Sequence, residues 1–545
     1  MDQATLNGVL LYHEQTKHHF HRYARSLGYM DWQNQPDPFR SYQGNEPLPL
    51  PLLDRDPPTG YGQMCRREGI AASPLSLSSI AAFLELSLGL SAWKVSGVTR
   101  WALRINPSSG NLHPSECHLV LPDTGSLPGG VYHYNPFSHS LEPRAGIPET
   151  LWKSVSRHFG APGFLVGLTS IVWRESWKYG ERGFRYCLHD AGHALACLSF
   201  SASLQGWRLT YLNALSDRDV KKVLGIYRTE WPDQEEEVPE FLCFVCPQEA
   251  RDIPRNLPDG ILSGFSRLSF GGRPNLLSRE HVRWDLIDRA VSLTEKPETQ
   301  PERYDFGSAP FLRPDVGSVP ASRIIRQRRS AVALSPEGLL GKDSFLDMLD
   351  HTLPRNGLPP FDAEVADPKV HLLIFLHRVE GLEPGLHFFC RDEARRDEIR
   401  NSSEAGLLWK QVEKGFPLYL LKRGDFHHEA FLVSCEQELA GLGAFSLGMV
   451  ARFAPTLEPS PYRYRHLFWE CGMIGHVLYL AAEAHGVRGT GLGCFFDNPS
   501  LEVMGIQTNA YQSLYHFAVG RPVEDRRLST LPPYEHLAGE DRRPP

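Results

Sequence analysis

Three short segments carry side chains of a kind and spacing that suit a flat, phosphate-bearing ligand. The first is Arg328-Arg329-Ser330. Two guanidinium forks beside a hydroxyl fit a phosphate monoester, because arginine can pair bidentately with its oxygens and serine can donate one more hydrogen bond. The second is the loop Asn106-Pro107-Ser108-Ser109-Gly110-Asn111-Leu112-His113-Pro114. Its Ser and Asn groups can hydrogen-bond the polar edge of a heterocycle, and Gly110 permits close backbone approach. The third is Gly489-Thr490-Gly491-Leu492-Gly493, followed by Val519-Gly520-Arg521-Pro522. There, backbone N–H groups can reach a ligand face and Arg521 can add charge at its phosphate. Each segment also has a plain structural reading: a solvated basic helix end, an ordinary turn, and a glycine spacing that is not the dinucleotide fingerprint.

The elements that must position these segments emerge from an internal repeat. The stretch from Arg185-Tyr-Cys-Leu-His-Asp-Ala-Gly-His193 to Ile226 aligns without a gap, at an offset of 280 residues, onto Arg465-His-Leu-Phe-Trp-Glu-Cys-Gly-Met473 to Ile506. About a dozen of some forty positions match, well above chance for a repeat. Leu188, Ala191, Leu195, Leu198 and Ala202 fall on one helical face that stops at Gly206, and Phe468, Cys471, Gly475, Leu478 and Ala482 repeat it up to Gly486. Each helix leads into a strand candidate, Trp207 to Leu212 or Gly489 to Phe496. Upstream, Leu127 to Tyr134 matches Leu382 to Phe389. The chain therefore divides into an N-terminal extension (1–60), a first copy (61–260), a connector (261–314), a second copy (315–535) and a frayed tail (536–545). The connector carries a helix candidate capped by Ser278, with Val282, Leu286, Ala290 and Leu293 on one face.

Composition excludes several classes. With 57 Lys and Arg against 64 Asp and Glu, the net charge of −7 has no block of one sign, so no nucleic-acid or membrane-surface partner is expected. No apolar stretch reaches the length of a membrane span and no signal-like start is visible, which predicts a soluble, cytoplasmic protein. Ten cysteines are scattered, and the close pair Cys243 and Cys246 lies in an apolar run read as a buried strand with free thiols.

Taken in order, an Arg-Arg-Ser start, a Pro-Ser-Ser-Gly-Asn loop, a long helix, a glycine turn and a closing Gly-Arg-Pro resemble the nitroreductase-like FMN flavoproteins. The first copy resembles, more specifically, the SagB-type thiazole and oxazole dehydrogenases, through Tyr12 to Lys17, Asp31 to Pro36, Gly130 to Tyr134 and Lys178 to Tyr186. The resemblance implies an α+β fold of two tandem nitroreductase-like domains forming an intramolecular pseudodimer, with FMN at the interface and further homo-oligomerisation left open. It also implies that each flavin takes its phosphate cradle from one copy and its Pro-Ser-Ser-Gly-Asn loop from the other.

On that basis the two sites differ. One combines Arg328, Arg329, Ser330, Gly491, Leu492, Gly493 and Arg521 with Pro107, Ser108, Ser109 and Asn111, although Val332 stands where such proteins often carry a base. The other has Arg66-Arg67-Glu68 as its cradle, with a carboxylate in place of the hydroxyl, Phe244 to Pro247 without the Gly-Arg, and a decayed loop, Pro354 to Pro360. A single FMN is expected, dehydrogenating a peptide-derived or other natural product. The resemblance implies Lys178 and Tyr179 as the catalytic pair that takes the substrate proton. The alternatives are an NAD(P)H-dependent nitro or quinone reductase and a degenerate scaffold without catalysis. His189 and His193 with Asp190 between them imitate a zinc hydrolase motif, but the repeat keeps neither His, so no metal is expected.

Overall fold

The computed structural model describes residues 3–311 and 319–539. Two seven-stranded antiparallel sheets carry the two copies. In the first, β1 (Leu48–Pro49), β2 (Ser115–Leu121), β3 (Gly130–Asn135), β4 (Ser140–Gly146), β5 (Phe164–Ile171), β6 (Trp207–Tyr211) and β7 (Glu237–Pro247) lie in the order β1-β4-β3-β2-β5-β7-β6. In the second, β8 (Val370–Leu376), β9 (Gly385–Phe389), β10 (Lys410–Gln411), β11 (Leu418–Arg423), β12 (Phe445–Arg452), β13 (Arg488–Leu492) and β14 (Tyr511–Gly520) lie in the order β10-β11-β9-β8-β12-β14-β13. Five strands follow one order in both, β3-β2-β5-β7-β6 and β9-β8-β12-β14-β13, so the duplication is one of topology as well as sequence. Strands β2, β5 and β8 are buried along their whole length, the pattern of a sheet covered on both faces.

Between the sheets run the repeated helices, α1 (Gly183–Leu204) and α2 (Arg463–Ala484). Every residue of α1 is buried, which a helix can sustain only when other elements surround it. The helices cross where each copy has its glycine. A Cβ on Gly192 would lie 2.2 Å from the Trp469 carbonyl oxygen, and one on Gly472 would lie 2.3 Å from that of His189. These glycines are the 280-residue partners of the repeat, and their missing side chains set how closely the copies approach.

Arms from both chain ends tie the copies together. The helix Gln3–Gln15 sends the Tyr12 hydroxyl to the Glu181 carbonyl (2.9 Å) and His13 to Tyr464 and Gln512 of the second copy (3.3 and 3.2 Å). The strand Ser529–Leu531 extends from the second copy to pair with Leu90–Ser96 of the first, and Trp93 donates to the Pro533 carbonyl (2.9 Å). The connector helix spans Asp285–Leu293. Ser278 does not cap it, because its hydroxyl accepts from the Trp173 indole (2.8 Å) and donates to the Asn34 carbonyl (3.2 Å). The boundary expected near residue 315 and most of the tail, 540–545, lie outside the described residues. No helix among the described residues is long and apolar enough to cross a membrane.

Candidate functional site

A cavity of about 690 Å³ opens between the copies, within the range of ligand sites in general. Its walls bring together Pro107, Ser108, Ser109 and Asn111 of the first copy with Arg328, Arg329, Ser330, Gly491, Leu492 and Gly493 of the second, and Tyr179 joins them.

At one end the helix Ala321–Gln327 delivers the two arginines. Arg328 is buried and donates to the backbone carbonyls of Arg104 (3.2 Å) and Ile105 (3.1 Å), across the interface. Arg329 donates to the Ser91 carbonyl (3.1 Å), also of the first copy. Burial lowers the pKa of both, that of Arg329 to about 10. Among the described residues neither guanidinium has a carboxylate within ion-pair distance. Two partly desolvated cations side by side are favoured by a bound anion, since each is otherwise paired only with neutral acceptors. Ser330 is exposed, and its hydroxyl meets that of Tyr479 (2.8 Å).

At the other end the loop holds the left-handed conformation at Gly110 (φ 61°). A Cβ there would lie 2.7 Å from the Tyr179 hydroxyl and 3.1 Å from Lys178 Nζ, so the expected catalytic pair packs on the loop. Lys178 itself is half-buried behind the cavity wall. Beneath the loop, Asp190 accepts from the Ser109 backbone N–H (3.1 Å) and hydroxyl (3.3 Å). Burial pushes Asp190 up to about 7, and burial together with the Asp190 charge raises Glu175 beside it. The Tyr179 hydroxyl is held protonated by burial and then by the Glu175 charge. Asn111 spends its amide on Ala102 and His113 (both 2.9 Å), whereas the buried side-chain oxygen of Asn106, in the cavity wall, has no hydrogen-bond partner.

Several expected roles change. Arg521 is exposed and outside the cavity wall, because β14 ends at Gly520 and the chain turns to pair with residues 333–335. Arg488, at the start of β13, lines the cavity instead, paired with Glu524 (2.8 Å). Gly491 of β13 and Gly493 just after it line the cavity and also meet a packing need. A Cβ at Gly491 would strike the Tyr515 hydroxyl at 1.9 Å and one at Gly493 would strike the Tyr186 ring at 2.4 Å, while the Gly491 N–H donates to Tyr479 (2.8 Å). They make room for aromatic rings that then form the cavity wall. Sequence reasoning missed Arg488 and Tyr479. Arg488 adjoins the glycine run, and Tyr479 is the 280-residue partner of Ser199, so both signals were present.

The second site is arranged differently. Arg67 forms an ion pair with Asp362, and Asp362 also accepts from the Ser199 hydroxyl and the Leu209 N–H (3.2 Å). Glu68 is exposed and plays no part in this arrangement, contrary to expectation. Where the large cavity would have its counterpart, a pocket of about 20 Å³ is lined by Pro354, Phe361 and Glu470. The two helical histidines face the other copy: His189 donates to the Leu514 carbonyl (3.0 Å) and His193 meets the Tyr515 hydroxyl (3.1 Å), while Asp190 turns to Ser109. Among the described residues no three His, Cys, Asp or Glu groups cluster as a metal site would require.

This architecture is that of a tandem nitroreductase fold. A protein of Anabaena variabilis, solved as an assigned nitroreductase, matches 95% of this chain and 99% of its own with a TM-score of 0.69, at 21% identity. The assigned nitroreductase MJ1384 of Methanocaldococcus jannaschii is 25% identical over 159 residues, covering 28% of this chain and 77% of its own. The microcin B17-processing protein McbC of Escherichia coli is 35% identical over 95 residues, covering 16% of this chain and 35% of its own. No family model matches the chain.

Proposed function

We propose that the large cavity binds one FMN per chain and that the protein is an FMN-dependent oxidoreductase working across an intramolecular pseudodimer. The observation that carries this reading is the pair Arg328 and Arg329, desolvated and, among the described residues, with no carboxylate within ion-pair distance, at the end of a cavity completed by the other copy's Ser108-Ser109 loop. The donor set fits: Arg328, Arg329, Ser330 and Arg488 would hold the phosphate, and the loop with the unpartnered Asn106 oxygen would meet the polar edge of the ring system. Bound FMN supplies two-electron redox chemistry.

The chain's own residues supply binding and proton handling. Asp190 fixes the loop through Ser109, and Gly110 brings it against Lys178 and Tyr179. Burial keeps the Tyr179 hydroxyl protonated, so it serves as a hydrogen-bond donor at the cavity wall, with Lys178 beside it as the other member of the proposed catalytic pair. The substrate we favour is peptide-derived or another natural product, in keeping with the likeness of the first copy to a protein named for microcin B17 processing.

Purified protein should be yellow and should release one FMN per chain on denaturation. A colourless protein that fails to bind added FMN would overturn the proposal. Slow bleaching by NAD(P)H supports a dehydrogenase, and rapid bleaching a nitro or quinone reductase.

A further inference from the structure

Of the ten cysteines, only Cys435 and Cys494 are not buried. Cys494 follows Gly493 and lines the large cavity, and Cys435 is the neighbouring thiol with which it interacts electrostatically. Backbone fixes this meeting. The Phe496 N–H donates to the Val433 carbonyl (2.8 Å), and the Gln437 side-chain amide donates to both the Cys494 and Ser434 carbonyls (2.8 Å each). Cys435 and Glu436 are both left-handed, with φ of 54° and 55°, a conformation that non-glycine residues keep only where their surroundings impose it.

The environment treats the two sulfurs differently. His18 Nδ1 accepts from the Ala24 N–H (2.9 Å), and its ring interacts with Cys494. Arg182 donates to the Gly493 carbonyl (3.3 Å) and pairs with Asp497 (3.0 Å). Cys435, with His18 and Arg182, pulls the Cys494 thiol down against its burial, while Cys494 raises Cys435. The remaining groups around the pair are Tyr23 and Glu436 on the Cys435 side and Asp497, itself neutralised by Arg182 and Arg185. A thiolate at a cavity wall with a second thiol behind it is the arrangement thiol–disulfide exchange needs.

We propose that Cys494 and Cys435 form an exchange site for low-molecular-weight disulfides that enter the cavity, with Cys494 attacking and Cys435 resolving. The Cys494 thiolate bonds to one sulfur of R–S–S–R, whose S–S bond breaks and releases RS⁻ with the electron pair. Cys435 then loses its proton to solvent and bonds to the Cys494 sulfur, expelling the second RS⁻. Both leaving thiolates take up protons. The protein dithiol is oxidised by two electrons and the external disulfide is reduced to two thiols.

The reduced full chain, with and without FMN, is incubated with oxidised glutathione, then alkylated with N-ethylmaleimide and mapped by mass spectrometry. Wild type should lose two alkylatable thiols and yield a Cys435–Cys494 cross-link. Cys435→Ser should instead accumulate glutathione on Cys494, a positive signal that a misfolded variant would not give selectively. Cys494→Ser should give neither product. Iodoacetamide labelling of Cys494 should set in at lower pH than for an ordinary thiol, and its midpoint should shift upward in His18→Phe. A stable glutathione adduct on wild-type Cys494 without cross-linking, or equal reactivity of Cys435 and Cys494 towards glutathione, would overturn the proposal. Since the readouts need no flavin, failure here is distinct from failure of the FMN reading.

Discussion

The two ends of the interface began as equivalents and now solve one electrostatic problem in opposite ways. At one end, buried Arg328 and half-buried Arg329 border a cavity of about 690 Å³ and, among the described residues, have no carboxylate within ion-pair distance. At the other, Arg67 is met by Asp362, which collects the Ser199 hydroxyl and the Leu209 N–H as well, and the pocket lined by Pro354, Phe361 and Glu470 measures only about 20 Å³. Tyr479 and Ser199 are partners in the repeat, and each sits at its own cradle. Asp362 thus occupies the collapsed site much as an anionic ligand would occupy the open one. Positive charge retained by the fold must be neutralised from within or by a ligand.

The largest effect should come from removing the open cradle. Each charge-assisted hydrogen bond to a phosphate contributes about 1.5–3 kcal/mol, so Arg328→Ala with Arg329→Ala should weaken FMN binding by roughly a hundredfold to ten-thousandfold. Glu68→Gln should leave binding unchanged. Fluorescence titration of apoprotein with FMN reads both. Equal losses in the two variants would mean that the cradles are paired wrongly.

Next in size is the collapsed end. Asp362→Ala leaves Arg67 buried with no counter-charge, and breaking such a pair costs about 3–5 kcal/mol. Thermal melting should show the loss. Inorganic phosphate should restore part of it in the variant and have little effect on wild type. If phosphate stabilises both alike, Asp362 is not a substitute for an anion.

Lys178→Met should retain FMN at unchanged stoichiometry and lower turnover by about a hundredfold or more, the usual scale for a lost general base. The corresponding change at its 280-residue partner in the second copy, Glu458→Gln, should have no effect on turnover. Loss of flavin in Lys178→Met would reassign the residue to binding.

How far the sequence carried depended on whether a feature was local or came from across the interface. The 280-residue repeat, the helices it predicts and the loop ahead of β2 are local patterns, and the structure has them. Arg328, Arg329 and Ser330 were legible because their chemistry does not depend on what packs beside them. Arg521 was misplaced because a charged residue at the end of a strand says nothing about which way the chain then turns. Gly491 of β13 and Gly493 just after it were recognised as special, but a second reason was hidden: the rings of Tyr515 and Tyr186 that need the space arrive from β14 and α1. Asp362 was invisible in the same sense, since its role appears only when the decayed loop of one copy reaches the cradle of the other. Ser278 failed as a cap because Trp173, far away in sequence, takes its oxygen.

The smallest effect is a pH dependence that separates the acids the repeat pairs, Asp190 and Glu470. Asp190 has no cation beside it, and burial raises it to about 7 from an ordinary 3.8. The folded state therefore binds this proton more tightly than the unfolded chain does. By linkage, stability falls as pH rises from about 4 to about 7 and levels off above, with Glu175, also raised by burial, acting in the same direction. Glu470 instead pairs with Arg391 and accepts from the backbone N–H groups of Lys369 and Val370, so its loss uncovers a buried cation at any pH. Melting temperatures measured from pH 5 to 8 should show Asp190→Asn gaining on wild type with rising pH, while Glu470→Gln stays below wild type throughout. Parallel curves for Asp190→Asn and wild type would mean that Asp190 is already ionised in the folded protein, held by Ser109 alone.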